Sequence, residues 1–291
     1  MVKTLSQLYL DARKTLSLRE EEDLATAYAR QLVCHFSGIS PAQFLAQRDT
    51  VASDEVCAKI DVAVYRLMQG EPIAYVLGQW DFYGMTLEVT PGVLIPRDDS
   101  CAVTELAIKK TLFLDTSPRI LDLCTGSGCI GLAIAQQVKD ARVTLGDISD
   151  DAISVAKRNI KNQKLSGRVS CMKVDAMAAP PAFIGKFDLI VSNPPYITTK
   201  EMSELPDSVA NYEPHLALHG GEDGLDFYRN IARNYKAALK PGGYLCFEFG
   251  MGQGDDVCEI LEMNGYTVLE RSSDYNARER AVIAQLGRKE D

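Results

Sequence analysis

Apolar residues change their spacing twice along the chain, and the changes divide it into three parts. In the first part they recur every three or four residues, the period of helices with one buried face. Leu5, Leu8 and Tyr9 share such a face; Ser17-Leu18-Arg19-Glu20 matches a capping box ahead of Leu24, Ala27, Tyr28 and Leu32. Ser40-Pro41 offers an N-cap with proline in the first turn, and Val56, Ile60, Val64 and Leu67 make a further stripe. Stripes of this kind need a common core, so residues 1–70 are expected to form a small bundle of four or five short helices. Across 71–97 aromatic and β-branched residues take over, broken by Gly78, Gly84 and Pro91-Gly92. That pattern predicts a β-hairpin linking two domains. From Pro118 onward, apolar runs at 119–124, 142–147, 169–174, 187–192 and 243–249 alternate with helical stretches at 130–138, 151–162, 225–239 and 257–264. Two more strand-like runs follow at 266–270 and 280–285. Continuous apolar strands separated by helices mean an α/β domain, here 98–291, with a parallel sheet covered on both faces.

Composition narrows the class. At 291 residues, 46% hydrophobic and 24% charged, the chain has enough apolar surface for a large core. No apolar run approaches the ~20 residues of a membrane span, so no membrane partner is expected. The start, Met1-Val2-Lys3-Thr4-Leu5-Ser6-Gln7, lacks the features of a secretory signal and points to a cytoplasmic protein. A formal charge of −9, spread along the chain, repels a phosphate backbone and argues against a nucleic-acid partner. Eight cysteines occur without a Cys-x-x-Cys pair, which suits free thiols in a reducing compartment. His215 and His219 have a four-residue spacing, but Pro214 and Gly220-Gly221 around them mark a loop, so no metal site is expected.

The first candidate chemistry lies where the 119–124 strand turns into its helix: Asp122-Leu123-Cys124-Thr125-Gly126-Ser127-Gly128-Cys129-Ile130-Gly131. Glycines there permit a tight turn and a close approach of backbone N–H groups to a ligand. Gly126-x-Gly128-x-x-Gly131 also fits a dinucleotide fingerprint, so this turn alone leaves a nicotinamide oxidoreductase or a non-enzymatic adenosine-binding module open. Asp147, ending the second strand, stands near the spacing at which a carboxylate meets ribose hydroxyls; the plainer alternative is a cap on the helix from Ile148. Asp122 puts a negative charge where the amino group of a methionine moiety can be held and where an anionic pyrophosphate would be repelled. Asp175 either accepts from an adenine amino group or is simply a loop residue.

The second lies at the end of the fourth strand, Val191-Ser192-Asn193-Pro194-Pro195-Tyr196-Ile197. Two prolines fix φ and donate no N–H, so the turn offers rigid carbonyls. The Asn193 side-chain oxygen and the Pro194 carbonyl can accept both protons of one NH₂ group, and Tyr196 supplies an aromatic wall. Such a cradle suits an amide or aromatic amine, whose delocalised lone pair is a poor nucleophile until it is aimed and its growing positive charge is stabilised. Asn193, Pro194 and Tyr196 are therefore the candidate catalytic residues, and Asn193-Pro194-Pro195-Tyr196 the candidate substrate site. No general base is evident; the alkylated nitrogen is expected to lose its proton to water.

These motifs carry a resemblance. Val93-Leu94-Ile95-Pro96-Arg97, 120–128, 190–197, Tyr212-Glu213-Pro214-His215-Leu216-Ala217-Leu218 and the run from Gly220 to Tyr228 together resemble the protein-glutamine methyltransferases, within them the branch acting on peptide chain release factors. The resemblance covers nearly the whole chain. It implies a seven-stranded Rossmann-like methyltransferase domain, S-adenosylmethionine as methyl donor, and a helical substrate-recognition domain in front. It also implies a donor site of Cys124, Thr125, Gly126, Ser127, Gly128, Asp147, Asp175, Ala176 and Asn193. The implied substrate is the glutamine of the Gly-Gly-Gln loop of class 1 release factors. A ribosomal-protein glutamine methyltransferase is the near alternative, and a nucleobase amino-methyltransferase the distant one, because Asn-Pro-Pro-Tyr is shared with both. Two departures stand out: Cys124 where the family usually has glycine, tolerable if the position is not in a glycine-only conformation, and Arg97-Asp98-Asp99-Ser100 in place of the usual run after the arginine.

Overall fold

The computed structural model describes residues 3–114 and 117–287. Met1 and Val2, at the head of the start considered above, and residues 115–116 and 288–291 of the expected catalytic domain lie outside the described residues. The chain divides into two compact units, Met1–Gly78 and Gln79–Asp291.

The first unit holds α1 (Leu5–Leu16), α2 (Glu22–Ser37), α3 (Pro41–Gln47), α4 (Asp54–Met68) and α5 (Ile73–Leu77). Thr4 and Ser40 cap α1 and α3, each in a reciprocal box with a glutamine three residues on. The box expected at Ser17 does not form. Ser17 closes α1 instead, its hydroxyl donating to the Arg13 carbonyl, and α2 starts at Glu22 without a side-chain cap. Glu22 and Asp23 in its first turn complement the helix dipole in place of a cap. The later start changes the buried face to Ala25, Ala29, Leu32 and Val33, leaving Leu24 39% exposed. Leu8, Leu16, Leu32 and Ile60 fill the core, each fully buried aliphatic side chain being worth ~1.5–3 kcal/mol. Residues 73–77, expected with the hairpin, form α5, which ends on Gly78 at φ 71°.

The second unit opens with the hairpin β1 (Gln79–Phe82) and β2 (Met85–Glu88), then runs α6 (Cys101–Thr111), β3 (Arg119–Leu123), α7 (Cys129–Gln137), β4 (Arg142–Asp147), α8 (Asp150–Asn162) and β5 (Val169–Lys173). It continues with β6 (Phe187–Ser192), the short α9 (Thr199–Met202) and α10 (Asp207–Ala210), then α11 (Asp226–Asn234), β7 (Leu239–Glu248), α12 (Gly254–Met263), β8 (Tyr266–Ser273) and β9 (Glu279–Leu286). Among the described residues, seven strands form one sheet in the order β5-β4-β3-β6-β7-β9-β8. β3 to β7 are parallel, and β9 runs antiparallel to both β7 and β8.

Alternate side chains of each strand enter two cores. Ile120, Leu189, Val191 and Cys246 pack with α6, α7 and the hairpin residues Phe82, Met85 and Leu87. Leu121, Ile190, Leu245 and Phe247 pack with Tyr228, Ile231, Val257 and Leu261 of α11 and α12. Burial on both faces explains why these strands read as unbroken apolar runs. The hairpin is tied down by buried Asn159 of α8, whose side chain bonds both backbone groups of Glu88 and donates to the Ser127 carbonyl at 2.9 Å.

Candidate active site

Sequence order reverses at β3, which lies between β4 and β6, and the crossovers leaving it on opposite sides open a crevice at the carboxyl ends of the strands. A cleft of about 250 Å³ occupies that position. Its walls are 92–94, Cys124 and Gly126 after β3, Asp147 to Ser149 after β4, 174–177 after β5, and Asn193 with Pro195 after β6.

The turn after β3 is built by left-handed backbone: Cys124 at φ 56°, Gly126 at 54° and Gly128 at 88°. Cys124 thus adopts a conformation that favours glycine, and it tolerates the conformation rather than escaping it. Burial, followed by the nearby Asp147 carboxylate, pushes the Cys124 thiol far up and keeps it protonated. Gly131 has another reason to lack a side chain, since a Cβ there would lie 2.3 Å from Leu145 Cδ2. Asp122, 1% exposed, braces the turn from behind. Its Oδ2 accepts from Thr125 Oγ1 at 2.6 Å and from the Gly131 N–H at 2.9 Å, while Oδ1 is buried with no partner. Burial pushes its carboxyl pKa up to about 7.

Asp147 lines the cleft, its Oδ2 accepting from the Gly126 N–H at 2.9 Å and Oδ1 from the Ser149 N–H at 3.0 Å. Each oxygen keeps a lone pair for a ligand hydroxyl. It is not a helix cap: Ser149 caps α8 by accepting from the Ala152 N–H. Asp175 and Ala176 line the same cleft, Asp175 Oδ1 accepting from the Met177 N–H at 2.8 Å. Of the other predicted donor-site residues, Thr125 and Ser127 are 5% and 1% exposed and lie behind the turn; they and Gly128 are absent from the cleft wall.

A second cavity of about 190 Å³ adjoins the first, sharing Leu94, Asn193 and Ala217 and adding Arg97, Tyr196, Ile197, Leu205, Val209, Leu218 and Glu248. Asn193 therefore stands between the two. None of Asn193 to Tyr196 has positive φ, and the turn is held from outside. A Cβ on Gly220 would lie 2.6 Å from the Pro195 carbonyl oxygen, and one on Gly224 2.3 Å from that of Tyr196. Gln253 Nε2 donates to the same Tyr196 carbonyl at 3.0 Å, and Ile197 exchanges backbone bonds with Leu218 and Gly220. Pro195 lines the cleft and Tyr196 the second cavity, whereas Pro194 is buried and lines neither.

The 97–100 segment, left without a role by its sequence, borders the second cavity through Arg97. Arg97 pairs with Glu213, whose Oε2 accepts from the Ile95 N–H. Asp99 pairs with Arg280 at 3.0 Å, and Ser100 Oγ accepts from Asn193 Nδ2 at 3.2 Å. Glu213, Gln253, Ser100 and Glu248 receive no role from the sequence, although Glu213 and Ser100 stand in runs it singles out. Only Glu248 leaves a local signal, as a lone acid in a buried apolar strand, 1% exposed and pushed by burial to about 7. His215 and His219 serve the surrounding loops, His219 Nε2 lying 2.9 Å from Thr199 Oγ1 and His215 Nε2 3.1 Å from the Ala210 carbonyl. Among the described residues, no His, Cys, Asp and Glu are grouped to hold a metal, and no helix is long and apolar enough to cross a membrane.

The arrangement suits an adenosine ligand carrying positive charge. Asp147 and Asp175 face the cleft, a pair that attracts hydroxyls and ammonium and repels pyrophosphate. Comparison with known proteins agrees on the two-unit organisation: residues 5–78 match the PrmC N-terminal domain and 102–211 the Methyltransferase small domain. The chain is 43% identical over 216 residues to a release factor glutamine methyltransferase of Clostridium acetobutylicum, covering 74% of this chain and 75% of that protein. It is 34% identical over 259 residues to one of Bacteroides thetaiotaomicron, covering 89% and 91%. Among solved structures, the hMettl16 catalytic domain in complex with MAT2A 3'UTR hairpin 6 aligns with a TM-score of 0.56 over 83% of this chain and 86% of that one, at 16% identity. At that identity the likeness is one of fold.

Proposed function

The chain belongs to the release factor glutamine methyltransferase family, and we propose that it transfers a methyl group from S-adenosylmethionine to the glutamine side-chain nitrogen of the Gly-Gly-Gln motif in class 1 peptide chain release factors. The observation that carries this reading is the position of Asn193, which lines both a cleft suited to the donor and a smaller cavity suited to a glutamine side chain.

S-adenosylmethionine supplies an electrophilic methyl group on a sulfonium, whose carbon–sulfur bond breaks with its electron pair left on sulfur. Asp147 and Asp175 would hold the ribose and adenine, and the turn after β3, braced from behind by Asp122, would receive the methionine end. Asn193 Oδ1 and the Pro194 carbonyl accept the two N–H bonds of the glutamine amide and aim its lone pair at the methyl carbon. The same acceptors stabilise the positive charge that grows on nitrogen as the new bond forms. The nitrogen then loses one proton to water. Tyr196 and the aliphatic wall of Leu94, Leu205 and Val209 exclude solvent from the side chain. The helical unit serves as a platform for the large protein substrate, and the site works without a metal, in the cytoplasm. No step here requires unstacking a base, and the net charge of −9 opposes a nucleic-acid substrate.

The test is methylation of intact release factor, with the added methyl located by fragmentation mass spectrometry. Label on the Gly-Gly-Gln glutamine, lost when that residue is changed to glutamate, is the expected result. Preferential label on a ribosomal protein, or on nucleic acid alone, would overturn the substrate assignment while leaving the chemistry.

A further inference from the structure

The mechanism leaves unexplained why an acid sits in the apolar strand β7. Glu248 is 1% exposed and lines the second cavity. Ser100 and Asn193 stand beside its carboxylate and favour its charge, and its Oε2 has no partner. A buried carboxyl with a free oxygen is costly to keep unless it is used.

Asn193 Nδ2 donates to Ser100 Oγ at 3.2 Å, which leaves the Ser100 hydroxyl proton for the neighbouring Glu248 carboxylate. An ionised carboxylate only accepts, so the side of the Asn193 amide facing Glu248 must be its NH₂. The Asn193 oxygen is thereby turned away from Glu248, toward the space its residue shares between the two cavities.

We propose that Glu248, acting with Ser100, is a positioning residue that locks the Asn193 side-chain amide with its oxygen toward the incoming substrate nitrogen. The free Glu248 oxygen adds a negative potential to the wall of the cavity where that nitrogen turns cationic. This assignment rests on the glutamine-amide reading of the site for its catalytic consequence, but the lock itself exists without substrate.

The lock requires ionised Glu248. A protonated carboxyl can donate to the Asn193 oxygen and so accommodates the reversed amide, in which the substrate meets two N–H groups and no acceptor. Several charged or titratable groups bear on Glu248. Asp99 before α6 raises its pKa and Arg280 on β9 lowers it; Tyr196, Cys101, Cys129 of α7 and Tyr228 of α11 feel its charge, and Arg97 lines the same cavity. With the Glu248 carboxyl pushed up to about 7, the lock forms as pH rises through that value. Asp122 titrates in the same range but lies outside this cluster, so its transition persists when Glu248 is replaced.

Two readouts on the full chain test the proposal. The Asn193 side-chain amide, followed by nuclear magnetic resonance without substrate, should shift with a midpoint near 7 in the wild type and lose that transition in Glu248→Gln. Turnover at saturating donor and release factor should rise through the same pH, fall by about 10²-fold in Glu248→Gln, recover in part in Glu248→Asp and fall less in Ser100→Ala, with donor affinity unchanged throughout. Should Glu248→Gln misfold, Ser100→Ala carries the test, because it removes one hydroxyl and must still broaden or shift the Asn193 signal. An Asn193 signal indifferent to pH and to both substitutions, or a Glu248→Gln enzyme with wild-type turnover, overturns the proposal. A titrating Asn193 amide in a chain that does not methylate release factor supports the lock and overturns the substrate reading instead.

Discussion

Two turns meet at the carboxyl end of the sheet, and they are made rigid by opposite means. The turn after β3 is shaped from within: three residues in left-handed conformation, Cys124, Gly126 and Gly128, bend the chain, and the bonds that stiffen it come from Asp122, Asp147 and nearby backbone. The turn after β6 has no such residue. It is stiff along its length because of Pro194 and Pro195, but its placement comes from outside, from Gly220, Gly224, Gln253 and Ser100. A locally encoded turn tolerates change elsewhere in the chain, whereas an externally held one depends on residues far away in sequence.

The sharpest break of the second turn is Asn193→Ala. Turnover should fall by roughly 10²–10³-fold, as when a single charge-stabilising group is removed, with donor affinity largely kept. Loss of donor affinity alone, seen by calorimetry, would show the residue to serve the cleft and not transfer. Gly220→Ala attacks the same turn from its support: a Cβ 2.7 Å from Tyr196 Cα displaces the turn without touching the first. It should cost ~10²-fold in turnover while donor affinity is kept. Asp147→Ala is the converse, expected to weaken donor binding by about 1.5–3 kcal/mol, measured by calorimetry on the folded variant, because it removes a charged acceptor from a ribose diol.

Stability against pH separates the two turns differently. Asp122 behind one and Glu248 behind the other both have carboxyl pKa values raised by burial to about 7. A raised pKa favours folding below the unfolded value of ~4 and loses that contribution as pH rises through the folded value. The donor-free melting temperature should therefore fall between about pH 4 and about pH 7. Asp122→Asn and Glu248→Gln should each flatten part of that slope, and a slope unchanged in both would contradict the burial argument. The smallest effect is at Cys124. Restoring glycine at φ 56° should relieve left-handed strain and raise stability by ~1 kcal/mol, or a melting temperature higher by ~2–4 °C.

The same contrast explains what was legible in the sequence. Strands at 142–147 and 187–192 end where their apolar runs end, because both faces are buried and the run closes on polar Asp147 in one and gives way to Asn193 in the other. The Gly126 turn and the Asn-Pro-Pro-Tyr turn stand out because glycine and proline act on their own backbone. α6 was invisible: it is buried on most sides, so no polar face marks its period. The box expected at Ser17 failed because its side chain took a nearer acceptor in the preceding helix. Glu213, Gln253 and Ser100 were missed because each acts on a residue at least 50 positions away, as in the 57-residue separation of Gln253 from Tyr196. No local pattern encodes such contacts. Cys124 shows the limit from the other side, since its glycine-favouring conformation was hidden by the residue occupying it.

β9 has a consequence for how the protein comes into being. It is synthesised after β8 but lies between β8 and β7, so β8 has no place in the sheet until its successor has left the ribosome. Arg280, which pairs with Asp99 beside the transfer turn, arrives on that same strand. The helical unit closes on neighbours close in sequence and can fold early. The site of methyl transfer is by contrast assembled late, and a nascent chain halted before β9 would hold the donor turn without a finished place for the substrate.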